Sequence, residues 1–344
     1  GFTLSGSLKR THTVTSNFVK NTSLNSLVLN STAGIQVGDI INIVSTELFD
    51  TSRLYYFKGG NALITKIVGN TVYFNLSLPF SMTANTITVK IYKPIEVNIS
   101  NIKLLVGKND ISTHAGGLYV KFAKNSTIEN VKTDNFKANI TIERSVNVSL
   151  SFIETMRAKR SVADSWDGYG ITIYSCTNLS GKNLVTNSGQ HGLTWGGQEV
   201  NFGLYFENSV FKAEVWNLGI GSHENVYDVT FMNCKFFGAL LGGQCKCISC
   251  DFQYSEIPGH DNFIISCGEQ ENKPNYIFDN CNFNDRTVTV LDYFQVICPT
   301  RKYVGNISFN NSKNFNIKSN VASQSLGVKI AEVDNILISN SFDF

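Results

Sequence analysis

Proline is scarce in this 344-residue chain, with 5 residues. No stretch reads as a Pro/Ser linker or a low-complexity tail. Charge is also sparse, at 16% of residues with a net of +2. No bulk charge selects nucleic acid or an anionic membrane as partner. No apolar run approaches the roughly 18 residues of a membrane span. The start, Gly-Phe-Thr-Leu, lacks both a leading Met and the pattern of a signal peptide, and reads as a processed or engineered fragment. Eight cysteines are too few for a disulfide scaffold. Cys245-Lys-Cys-Ile-Ser-Cys250 has the look of half a zinc site, but no second ligand pair stands elsewhere, so the thiols are expected as small core residues. No metal and no cofactor is implied.

What the chain does have is Asn, Ser, Thr, Val, Ile and Phe, a mixture that favours strands and turns over helices. Asn-x-Ser/Thr triplets occur at Asn98, Asn125 and Asn147, among others. In so Asn-rich a chain they arise by chance and are not read as sugar acceptors.

Residues 1–94 read as a small antiparallel β unit. Ala33-Gly-Ile-Gln-Val-Gly-Asp-Ile-Ile-Asn-Ile43 is a turn feeding a buried strand, and Gly69-Asn70 is a tight turn between Ala62–Val68 and Thr71–Leu78. Such a unit is expected to cap the open end of a stacked β-core.

From residue 95 to 344 the chain repeats. Each copy runs through a few alternating apolar positions, a turn at Asn or Ser, and another short strand. The turn markers are Asn101, Asn130, Ser151, Asn183, Asn208, Asn233, Ser249, Asn280, Asn311 and Asn340, at steps of 16 to 32 residues. A unit of that size with two or three strands is the signature of a right-handed parallel β-helix, here of about ten turns. Asn tolerates the left-handed backbone such a turn needs, and its amide can bond to the Asn above and below. Cys234, Cys250 and Cys281 follow the marker in three copies and should stack inside the coil. Phe236, Phe252 and Phe283 should form an aromatic column beside them.

Chemistry is expected between residues 164 and 224. Aligning Gly170-Ile-Thr-Ile173, Gly192-Leu-Thr-Trp195 and Asn217-Leu-Gly-Ile220 puts Thr177, Glu199 and Glu224 in one column. Cys176, Gln198 and His223 fall in the next column. Tyr169, His191 and Trp216 share another, as do Asp167, Gly189 and Glu214. Neighbouring turns lie about 4.8 Å apart. Cleaving a glycosidic bond takes two carboxyl groups roughly 5–9 Å apart, which stacked acids supply. Glu199 and Glu224 are the expected acid pair, Asp167 and Glu214 the second, with His191 and His223 orienting or transferring protons. Trp166, Tyr169, Trp195, Trp216, Gln198, Asp164 and Arg157 are the expected substrate contacts, the tryptophans as flat surfaces for sugar rings. Each of these residues also has a plain reading, as surface charge, turn residue or core. It is the clustering that points to a site. Elimination from an acidic sugar is the rival chemistry, with His191, Tyr169, Arg157 or Arg160 in play.

Asp167-Gly-Tyr-Gly-Ile171, Gln190-His-Gly-Leu-Thr-Trp-Gly-Gly197 and the Asn-marked turns together resemble the β-helical tailspikes of bacteriophages. Val37-Gly-Asp-Ile-Ile41, Tyr56-Phe-Lys-Gly-Gly60 and Gly69-Asn-Thr-Val72 are similar to a segment that precedes many such coils. The resemblance implies a pectate-lyase-like fold and a parallel homotrimer on the virion tail. It implies depolymerisation of capsule, lipopolysaccharide O-chain or teichoic acid at the host surface. A calcium-dependent lyase and a non-catalytic receptor-binding spike are the other readings.

Overall fold

The computed structural model describes residues 1–23, 25–49, 54–106, 116–158, 168–213, 218–223, 225–253, 263–266, 273–291, 303–319 and 332–339. Most of them stack as parallel strands. One ladder runs through ten strands, from Asn98–Leu105 through Lys124–Asp134 and Val146–Met156 to Glu332–Ser339. A second ladder stacks Gly116–Lys121, Ala138–Glu143, Tyr169–Tyr174, His191–Gly196 and Leu218–Gly221. A third joins Val185–Ser188, Val210–Ala213, Lys235–Phe237 and Asp251–Gln253. Three sheets meeting at tight corners form a parallel β-helix.

Left-handed residues make the corners. Asn101, Asn130, Asn183, Asn208, Asn233, Ser249, Asn280 and Asn311 all have φ between 49° and 59°. The Asn130 amide donates to Asn101 Oδ1 at 2.6 Å, and Asn280 donates to Ser249 Oγ at 3.1 Å. The third marker is displaced by one residue. Ile153 packs inward opposite Val131, so Phe152, with φ 52°, takes the corner in place of Ser151. The last marker, Asn340, lies outside the described residues. A second corner carries Asn125, Asn147 and Asn178, joined amide to amide at 3.0 and 3.2 Å. Those triplets are therefore turn residues in register.

The interior holds two phenylalanine columns. Phe211, Phe236, Phe252 and Phe283 succeed one another with centroids 6.0, 4.9 and 4.6 Å apart. Phe206 stacks on Phe231 at 5.2 Å, and Phe278 on Phe309 at 5.2 Å; Cys247 fills the position between Phe231 and Phe278. Cys234, Cys250 and Cys281 lie in the same core as free, buried thiols, as do Cys176, Cys245 and Cys247.

The N-terminal unit is a six-stranded sheet ordered Ser7–Thr13, Ile87–Lys93, Ile40–Leu48, Phe57–Val68, Thr71–Phe74 and Ser26–Val28. It lies along the flank of the coil. Ahead of it, Phe2–Ser5 extends the coil itself, pairing in parallel with Gly116–Lys121. The flank contact runs over successive turns of one corner. Tyr92 stacks on Phe122 at 3.6 Å, and Ile40 packs with Phe122 and Val146. Asn61, fully buried, donates to Ser175 O at 2.7 Å and accepts from Thr177 Oγ1 at its backbone oxygen at 2.6 Å. Val200 and Phe202 of the coil belong to the sheet's own core. The approach needs Gly60, since a Cβ there would lie 2.8 Å from a ring carbon of Phe202.

Candidate functional site

The corner under the sheet is a third left-handed column: Phe122, Arg144, Ser175 and Gly197, at φ 51°, 46°, 53° and 106°. Two residues separate Glu143 from Val146, and two separate Tyr174 from Thr177. Between Gly196 and Phe202, which hold the equivalent positions, there are five. The extra length bulges outward and carries Gln198 and Glu199 back toward Arg144.

Glu199 ends up buried, its side chain 1% exposed. Both its oxygens face Arg144: Nε lies 3.1 Å from Oε2 and 3.3 Å from Oε1, and Nη2 lies 3.2 Å from Oε1. The other side of the guanidinium, Nη1, donates to Glu143. Glu143 also accepts from the Tyr119 hydroxyl, and Lys121 Nζ stands 2.8 Å from its Oε1. Two carboxylates are thus joined through one arginine, with a lysine and a phenol completing the set. Burial works against the charge of Arg144, but Glu199 and Glu143 outweigh it and push its pKa up. Burial and the Glu143 carboxylate both raise the Tyr119 phenol. Burial, then Glu143 and Tyr55, push Tyr174 up to about 12.

A pocket of about 560 Å³ opens on this network. Glu143, Arg144, Gln198, Ser175, Thr194, Gly196 and Gly197 are among its lining. Tyr169, Tyr174 and His223 line the rest of the coil side, and Tyr55 and Tyr56 of the sheet close it from the other. A cleft that combines aromatic rings with convergent polar groups is the general form of a small-ligand site.

The solved structures most informative for this geometry are phage tailspikes. The Gp54 tailspike of Acinetobacter baumannii bacteriophage AP22, in complex with A. baumannii capsular saccharide, superposes with a TM-score of 0.76 at 20% identity. The match covers 98% of this chain and 57% of that one. The fold is that of a tailspike β-helix. The gp61 tailspike of Pseudomonas phage phi297 follows at 0.73 and 15% identity, covering 98% and 58%. The gp49 tailspike of Pseudomonas phage LKA1 gives 0.71 and 16%, covering 98% and 64%. The chain therefore spans less than two thirds of the length of these spikes. No protein family and no curated protein matches it by sequence.

Set on this coil, the residues expected from sequence separate. Glu199, Gln198, His223 and Tyr169 gather at the pocket or its network. His191 lies next to it, stacked on Tyr169 with centroids 5.5 Å apart. Trp195 points inward; it is fully buried and donates from Nε1 to His223 O at 3.0 Å, so it is core and not a sugar surface. Arg157 turns away, bonded to Asp134 beside a separate hollow of about 320 Å³. Glu224, Asp167, Glu214, Trp166, Trp216, Asp164 and Arg160 lie outside the described residues.

The expected columns also shift. His191 pairs with Leu218, not Trp216, and Thr177 pairs with Phe202, not Glu199. The second follows from a turn length that a gap-free alignment treats as equal; the first from setting Leu193 against Leu218, when it pairs with Ile220. Glu143 and Arg144 lie one turn earlier, before the first of the aligned segments. Their sequence signal is small: an acid and a base where Ala138–Glu143 ends, at the level where the next strand ends in Tyr174.

Proposed function

We propose that this chain is the β-helical body of a tailspike-type depolymerase that binds a bacterial surface polysaccharide and hydrolyses it at the corner pocket. One observation carries the reading. The fold of a spike seen with capsular saccharide here bears an aromatic pocket backed by two carboxylates on one arginine. Glu143 faces the pocket and serves as base or nucleophile. Arg144 and Lys121 stand against it as counter-ions and hold its side chain in place. His223, also in the lining, passes a proton to the leaving oxygen. Glu199 is a positioning residue, because it stands behind Arg144 and, unlike Glu143, does not line the pocket. This replaces the pairing of Glu199 with Glu224.

Hydrolysis is preferred to elimination because a carboxylate, Glu143, lines the pocket and the phenols beside it are poor bases. Abstracting a proton next to a uronate carboxylate takes a base, and a phenol serves only when its pKa is lowered. Tyr119 and Tyr174 are shifted the other way, which suits donors of hydrogen bonds. The protein works on the virion tail, outside the host cell, as a homotrimer. Sedimentation equilibrium should give three chains per particle.

The function is tested by incubating the protein with a panel of purified capsule, O-chain and teichoic acid, followed by size separation and ultraviolet absorbance. Shortened chains without the absorbance of a new double bond are expected, unaffected by a metal chelator. Glu143→Gln should lower kcat by about 100-fold or more. New absorbance would replace hydrolysis with elimination. Retention of a polysaccharide without shortening would leave a receptor-binding spike.

A further inference from the structure

The pocket has two owners. One side belongs to the coil, and the other to the antiparallel sheet through Tyr55 and Tyr56. Tyr56 is 1% exposed, with its ring 5.9 Å from that of His223. Tyr55 is 41% exposed and stands edge-on against Tyr56, with centroids 4.8 Å apart and planes at 79°. The peptide that follows this pair is tied down at both its oxygen and its N–H. Phe49 N–H donates to Tyr56 O at 2.7 Å, and Phe57 N–H donates to Gln198 O of the coil at 2.7 Å. Further along the same strand, Asn61 bonds to Ser175 and Thr177. A phenol ring braced by a buried ring, on a backbone pinned to the opposite wall, offers flat area at small entropic cost.

We infer that Tyr55 is the platform on which a sugar ring stacks at the mouth of the pocket, so that the antiparallel sheet helps select the saccharide. The inference rests on the depolymerase reading of this pocket. The ligand class is a pyranose presenting its C–H face, with its hydroxyls turned to the polar groups opposite. Because Tyr55 is half exposed and Tyr56 remains behind it, Tyr55→Ala should fold, which circular dichroism checks.

The test uses the polysaccharide that the wild-type protein shortens or, failing that, retains in affinity electrophoresis. Tyr55→Ala should raise KM, or weaken retention, about tenfold while kcat stays within about twofold. Tyr55→Trp, which keeps a flat face, should reverse most of that loss. An unchanged KM and retention in Tyr55→Ala would overturn the inference and leave the depolymerase reading standing. So would a fall in kcat alone, or a Tyr55→Trp variant as weak as Tyr55→Ala. A wild-type protein that neither shortens nor retains any of the panel would overturn the depolymerase reading, and this inference with it.

Discussion

At the scale of single residues, the left-handed corners separate two kinds of position. Asn and Ser sit there at little cost, whereas a bulky side chain with φ near 50° carries strain of about 1–2 kcal/mol. Phe152 is such a residue, 56% exposed and flanked in its column by Asn130 and Asn183. Phe152→Asn should stabilise the protein by about 1 kcal/mol, read from the urea midpoint. Glu199 is the opposite case. Its neutral isostere, Glu199→Gln, would leave the inner edge of Arg144 facing an amide. The expected loss is about 2–4 kcal/mol, with a lower thermal midpoint. Glu47 reports on pH. Burial alone would raise its pKa, but the Thr83 N–H and the Lys58 ammonium hold it down at about 2, from 4.5. A carboxylate depressed on folding adds stability above its unfolded pKa and loses it as pH falls through the folded value. The stability gap between wild type and Glu47→Gln should therefore be full above pH 4.5 and close toward pH 2, as acid titration of the unfolding midpoint would show.

At the scale of elements, the stacked strands depend on side chains that meet their own kind one turn away. Phe252 touches Phe236 on one side and Phe283 on the other. Phe252→Ala should cost about 3–5 kcal/mol, because its neighbours are held by their own ladders and cannot collapse into the space. This core was legible in the sequence. Phe236, Phe252 and Phe283 each follow the marker by a fixed offset, and an inward position in a ladder tolerates few other residues. The site was less legible. A column is read correctly only if the loops between its members are equal, and the five residues between Gly196 and Phe202 break that rule. Glu199 was legible as a candidate because it stands in a dense stretch of polar and aromatic residues. Its partner Arg144 lies two turns earlier and 55 residues back, a pairing created by the bulge and invisible to spacing. Trp195 shows the limit of composition: a tryptophan among acids suggests a sugar surface, yet alternation with Leu193 had already offered the inward face that it takes.

At the scale of the whole molecule, a coil of this kind is held almost wholly by contacts between adjacent turns. Each turn could in principle detach on its own, beginning at the ends. The flanking sheet changes that. It grips Phe122, Val146, Ser175, Thr177, Gln198 and Phe202, which belong to successive turns. Hydrogen exchange should accordingly find its slowest amides in the strands between 138 and 207, with protection falling toward Glu332–Ser339.

Gly60 sits within that grip. The sheet's backbone comes so close to the coil there that a single methyl group is excluded. That makes Gly60 one of the places where the sheet and the coil are fitted to each other. Enlarging it to alanine would leave each body intact while letting them drift. The tyrosines of one would lose their alignment with the carboxylates of the other, and a pocket would become two unrelated surfaces.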